Sequence, residues 1–363
     1  MKTKLSTIVI LMSMTISLFA QSTIKEVAEC NLKGYVVIPS NETWVCNGTL
    51  QIADGTVIDG RGELVAKNGV TLNGAVEIKA ISSVTFEGGL HLAKGAKLVN
   101  KGSLRMYGDV KMQETAKFYN HGASIIIGGS LIGVAGVTFS NEHDGVFQVC
   151  NAPGNTTKSV AFGVMGNAPK MGVGSNGVFF KEGSTFMCNN TDMNIFIDVL
   201  STCMVAGTID MIDSNLSFDC DNDNSRLLFS ATTVVKVLDI TAPYHDKGHL
   251  SVSLLSNRAS MDIEGSVYAT NFKGNYGSSE TNKVNYCAGA VTVWFESKLN
   301  AFTDCQNAIV VKSNAGGSYE DFLDEAIEAQ PVKITRVETT NNDIGHRAVK
   351  PQPQDDTILA GTE

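Results

Sequence analysis

Three carboxylates stand at alternate positions in Asp219-Cys220-Asp221-Asn222-Asp223-Asn224-Ser225-Arg226. On a strand, alternate side chains share a face, so Asp219, Asp221 and Asp223 would converge as an oxygen set suited to Ca²⁺. Arg226 stands beside them. The spacing departs from the twelve-residue calcium loop, because Asn224 occupies the position of the required Gly and Ser230 that of the bidentate Glu. A solvated polar bend accounts for the same residues more simply. His245-Asp246-Lys247-Gly248-His249 spaces two histidines like metal ligands, but Gly248 argues for a turn and no paired Cys motif accompanies them. The sequence has neither a Gly-x-Ser-x-Gly elbow nor a Gly-Lys-Thr phosphate loop, which removes common hydrolases and nucleotide enzymes. No catalytic, cofactor-binding or metal-binding residue is assigned, and calcium at the Asp219–Asp223 cluster is the alternative.

The eight cysteines all follow residue 20. An even number in an exported chain favours disulfides over a thiol catalyst. Cys30 and Cys46 are 16 apart, and Cys287 and Cys305 are 18 apart. In a coil of about that length the members of each pair would stack one strand spacing apart, within disulfide reach. Each closure would stabilise its end by ~3 kcal/mol in the chain-entropy model. Cys150, Cys188, Cys203 and Cys220 could pair in several ways or remain buried thiols.

These residues must be positioned by a repeat. The phrase Ala96-Lys97-Leu98-Val99-Asn100-Lys101-Gly102 returns as Ala116-Lys117-Phe118-Tyr119-Asn120-His121-Gly122, and then as Thr138-Phe139-Ser140-Asn141. A recurrence every ~20 residues marks a small unit stacked on copies of itself. Asn100, Asn120 and Asn141 read as a structural ladder of stacked amides at bends that tolerate left-handed backbone. The same phase places Gly60 two periods before Asn100, and Lys181 two periods after Asn141. Between the Asn positions, apolar residues alternate in short bursts, as in Val76 and Ile78, Leu90 and Leu92, and Leu104 and Met106. Period-two alternation broken by Gly and Asn predicts short strands with one buried face. Carried from Thr49 to Val311, the period allows at most ~13 coils.

The ends complete the organisation. Lys2, Lys4, the apolar run Leu5–Phe19 and the small Ala20 form a secretory signal, too short to span a bilayer. Formal charge is −9 for the whole chain, and an acidic chain with no basic cluster in its sequence is a poor partner for nucleic acid or anionic lipid. Tyr319–Ala329 places Phe322, Leu323, Ala326 and Ile327 on one helical face. The expected division is a signal peptide at 1–20, an N-terminal cap at 21–48 and a solenoid at 49–311. A linker and helix follow at 312–330, then a terminal strand and disordered tail at 331–363.

The Gly- and Asn-punctuated coils, with Ala-Lys-Leu-Val-Asn-Lys-Gly-Ser-Leu as their phrase, resemble secreted right-handed parallel β-helix proteins of adhesin-like, pectate-lyase-like architecture. The signal ending Phe19-Ala20-Gln21 is similar to those of the Bacteroidota. The resemblance covers about residues 49 to 311 and implies fold alone. The expected fold is all-β, a single-stranded parallel β-helix with a disulfide-stapled N-terminal cap and a short C-terminal helix. The expected function is a secreted or cell-surface structural or binding role, adhesin-like and without catalysis, toward a glycan or a host or cell-surface protein. No membrane insertion is expected after signal cleavage. The alternative is a calcium-dependent polysaccharide lyase or glycoside hydrolase on the same scaffold. Such an enzyme needs acids gathered from adjacent coils and aromatic platforms for sugar rings. The chain offers two tryptophans, Trp44 and Trp294.

Overall fold

The computed structural model describes residues 23–27, 30–134, 136–152, 159–164, 177–197, 202–220, 225–240, 247–254, 259–276, 284–287, 289–296, 309–329, 335–337 and 348–350. The chain winds as a parallel β-solenoid with three faces. Each coil gives a short strand to each face, parallel to and in register with its equivalents one coil before and after. The first face runs from Thr23–Glu26 and Glu42–Cys46 to Ile309–Val311. The second begins at Asn31–Leu32 and reaches His249–Leu254, and the third extends from Tyr35–Val37 to Val284–Cys287. The long strand Ser266–Tyr276 serves both the first and second faces, which therefore join as one 23-stranded sheet beside the 11-stranded third.

Among the described residues the third face has eleven strands, one per coil, and all but Tyr35–Val37 lie beyond residue 49. The period alone allowed more because later coils are longer: Asn141 is level with Phe180, nearly twice the earlier step. In-register strands begin at Thr23–Glu26, so the Cys30–Cys46 disulfide lies within the first two coils.

Every coil turns its apolar side chains inward. Val76, Leu98, Phe118, Phe139 and Val178 form one in-register column on the third face, each 8% exposed or less. Phe139 packs edge-on against Phe118, Phe147 and Phe186, at centroid distances of 5.9, 5.1 and 5.9 Å. Burying each ring contributes about 2–3 kcal/mol, and an edge-to-face pair adds about 1. This continuous column is why the motif recurs: no coil could bury its own apolar edge alone.

Two phase assignments are corrected by the register. The column through Asn100 contains Ile58 and Ile78 before it and Phe180 after Asn141, so neither Gly60 nor Lys181 belongs to it. The corner after this position changes length, with five residues between Ile78 and Val84 and three between Asn100 and Leu104. A constant period therefore slips.

Helix α1, Tyr319–Glu328, is capped by Ser318, whose side chain accepts from Asp321 N. Its Phe322 and Ala326 pack on Leu238 and Trp294, so it covers the outer side of the first face. Lys236, 1% exposed, donates from Nζ to Ile327 O at 3.2 Å, a cation set against a helix C-terminus. Tyr319 reaches Asp239 O and Thr270 on the same flank. Thr335–Val337 pairs antiparallel with Ala348–Lys350, within the segment expected to be a strand and a disordered tail.

Candidate functional site

Late in the second face, alternation sorts side chains into two sets. Met193, Leu216, Leu250 and Phe272 are register partners and point inward, each 2% exposed or less. Their neighbours point outward and are half-buried. Asn194, Ser217, Ser251 and Lys273 make one outward row, with one residue per coil at about the 4.8 Å strand spacing. A parallel row holds Asp192, Asn215, His249 and Asn271, and a third holds Phe196, Asp219 and Ser253. The result is a flat grid of amides, hydroxyls and a few charges.

The charged members are held by one another. Asp192 Oδ1 receives Lys247 Nζ at 2.9 Å and Asn215 Nδ2 at 3.0 Å. Asn215 Oδ1 in turn accepts His249 N at 3.1 Å, which fixes the amide's orientation. Lys273 Nζ lies 2.6 Å from His249 Nδ1; with the ammonium donating, the neutral ring carries its proton on Nε2. Two exposed aromatics bound the grid. Phe196 is 40% exposed at one end, and Phe295, level with Asn271 in the following coil, is 47% exposed at the other.

Sequence reasoning sought aromatic platforms in tryptophan and missed both phenylalanines. Trp44 points to the first-face interior, with Lys25 Nζ 4.6 Å from its ring centroid. Trp294 is buried beside helix α1. An exposed Phe at an outward position between polar neighbours was the available signal, legible only once in and out are known.

Of the acid cluster expected beside Arg226, the described residues include Asp219 alone, and it lies on a different face from Arg226. Asp219 lies on the second face, level with Phe196 and Ser253. Arg226 lies on the third, where Nε donates to Asp262 Oδ2 at 2.9 Å in an ion pair. Strand Leu216–Asp219 belongs to the second face and strand Arg226–Phe229 to the third. Asp221 and Asp223 are outside the described residues, as are His245 and Cys305, and with them the Cys287–Cys305 pairing. Among the described residues no group of three or more His, Cys, Asp or Glu side chains could hold a metal ion. Within those residues, too, no helix is long and apolar enough to cross a membrane.

The Asn positions form a buried polar column. Asn100 Nδ2 donates to Asn120 Oδ1 at 2.9 Å, and Asn120 Nδ2 to Asn141 Oδ1 at 2.8 Å. Each amide also binds its own corner: Asn120 Nδ2 donates to Gly122 O at 3.0 Å, and Asn100 Oδ1 accepts Gly102 N at 3.1 Å. None of the three adopts left-handed backbone; that conformation falls to Thr115, Asp144, Asn190 and Asp213 among the described non-glycine residues. The amides thus satisfy corner backbone that the coil has buried. The glycine two residues on is required by close approach. A Cβ on Gly122 would stand 2.2 Å from Gly102 O.

Cys30 and Cys46 are bonded, with Cα atoms 5.6 Å apart. They are not stacked equivalents, because Cys46 ends a first-face strand while Cys30 sits at the corner before Asn31. Beside this bond is an open cleft lined by Glu26, Val27, Asn47 and Thr49. Cys150, Cys188, Cys203 and Cys220 are buried thiols. Burial pushes the Cys203 thiol up to about 12 and raises Cys188 well above its ordinary value, with Cys150 adding to the latter. Compared with protein-family models, curated proteins and solved structures, the chain has no match in any of the three.

Proposed function

We propose that this chain is an exported, cell-surface or extracellular β-solenoid with a binding role and no catalytic one, and that its ligand is a glycan. The observation that carries the reading is the second-face grid: rows of amide and hydroxyl groups one coil apart, bounded by Phe196 and Phe295. Sugars present hydroxyls at similar intervals and apolar C–H faces between them. A rigid polar surface with aromatic ends meets both at little entropic cost, since strands fix its side chains before the ligand arrives.

The chemistry of the charged groups points the same way. Asp192 is bound by Lys247 and Asn215, and Asp262 by Arg226, so these carboxylates act as struts within the surface. A proton-abstracting pair would instead hold a base beside an acid from the adjacent coil, whereas Asp219 is flanked by Phe196 and Ser253. The secretory signal supports export, where such glycans occur.

The test is a glycan array probed with the full chain and with Ser217→Trp and Ser251→Trp, which place bulk on the grid and leave its inward neighbours intact. Binding lost in both variants supports the reading. Binding of unsulfated glycans that survives both overturns it. Unsaturated products from acidic plant or algal glycans, with calcium present, would establish the lyase alternative instead.

A further inference from the structure

Charge is distributed unevenly along this acidic chain. Residues 61–122 carry nine Lys and Arg against five Asp and Glu, a net +4 within a total of −9. The coil collects part of that charge on the third face, away from the grid. Lys97 and Lys117 are register partners on adjacent strands, and both are exposed. Val99 and Tyr119, two positions along each strand and facing the same way, are register partners and half-buried. Lys101 and His121 occupy equivalent exposed places at the following corner. Lys79 and Lys101 share one carboxylate, Glu77, at 3.0 and 2.9 Å, so this ion-pair group retains a net positive charge. Lys97 Nζ lies 5.4 Å from the Tyr119 ring centroid, so cation and ring form one surface.

We propose that this stripe is a second binding site, and that its ligand is a sulfated polysaccharide lying across the strands, along the coil axis. Adjacent coils repeat at about 4.8 Å, comparable to the advance of an extended pyranose chain per sugar, so each coil would meet one residue of the ligand. The half-buried Val99 and Tyr119 provide an apolar strip for sugar C–H faces between the cations. Lysine is a compact point charge that suits the rounded oxygen cap of a sulfate ester. Planar carboxylates are matched by Arg forks, and the stripe carries Lys79, Lys97, Lys101 and Lys117 but no Arg among its named cations. A nucleic acid would meet a positive surface only two or three coils long on a chain of the wrong overall sign. This inference goes beyond the reading of the second face and stands on different residues.

The experiment measures binding of fluorescent heparin, desulfated heparin, polygalacturonate and single-stranded DNA to the full chain by anisotropy, in low salt and at about 1 M salt. Heparin is expected to bind in low salt and to be released in high salt. Lys97→Gln with Lys117→Gln should weaken it about tenfold or more. Tyr119→Ala should weaken it further, while Ser217→Trp leaves it unchanged. Circular dichroism of each variant checks that the coil is retained; Lys97→Glu tests the same charge by reversal. Equal binding of desulfated heparin or polygalacturonate overturns the sulfate assignment, and tighter binding of DNA overturns the polysaccharide. Full heparin affinity in both the Lys97→Gln/Lys117→Gln and Lys97→Glu chains overturns the site. Loss of heparin binding on Ser217→Trp would move the activity to the second face.

Discussion

Asn120 is the middle rung of the buried amide column, and replacing it with Ala should be among the most costly single changes in the first half of the solenoid. Its Nδ2 donates to Asn141 Oδ1, Gly122 O and Val146 O at 2.8, 3.0 and 3.0 Å. Its Oδ1 accepts Asn100 Nδ2 and Ser124 Oγ at 2.9 and 2.8 Å. Asn100 keeps acceptors at Gly102, Ala123 and Ser124, so it is not left bare. Asn141 Oδ1 loses its Asn120 donor, which costs about 2 kcal/mol for a buried acceptor, and the Ser124 hydroxyl loses an acceptor for about 1 more. The vacated space adds about 1 kcal/mol, giving an expected loss of about 4 kcal/mol. Asn120→Leu refills the space, as Ile78 does in an earlier coil, yet leaves the same atoms unpaired. It should therefore lose about 3 kcal/mol. Denaturant unfolding reads the total. Hydrogen exchange locates it, since coils in a solenoid depend on their nearest neighbours, and protection should fall around Asn100–Val149 before it falls near Val235. A loss below about 1 kcal/mol, or equal loss of protection along the whole coil, would refute the reasoning.

Other consequences can be checked alongside it. Cys30→Ser with Cys46→Ser should lower stability by about 3 kcal/mol, and a reductant should lower the wild-type chain to the same midpoint. Phe139→Ala removes a ring that touches five other phenylalanines and should cost about 4 kcal/mol, read as a shift in denaturation midpoint; Tyr119→Ala on the surface of the neighbouring strand should cost far less. Cys188 and Cys203, with thiols raised by burial, should resist iodoacetamide in the folded chain at pH 8 and label only in denaturant. Mass spectrometry showing fast native labelling of Cys203 would contradict its placement.

Much of the scaffold was legible in the chain itself. Alternating Val76 and Ile78 or Leu104 and Met106 specify strands, because side-chain direction in a strand is a local, two-residue property. The near-constant interval between Asn100, Asn120 and Asn141 specifies stacking, and the Asn and Gly of the repeated phrase mark corners. The helix was equally local, set by Ser318 and the apolar face of Phe322 and Ala326. Which face a residue occupies was not local. It is the sum of every preceding corner, and those corners differ in length: five residues after Ile78 and three after Asn100, with a coil of nearly double length after Asn141. Tertiary structure therefore decided that Asp219 and Arg226 lie on different faces and that Phe196 and Phe295 bound one polar grid. It also decided that Lys97 and Lys117, one period apart in the chain, stand side by side. Sequence set the side of the strand on which each residue points, since that follows from the pleat. Only the folded coil set which residues share a face, since that depends on accumulated turning that no short segment encodes.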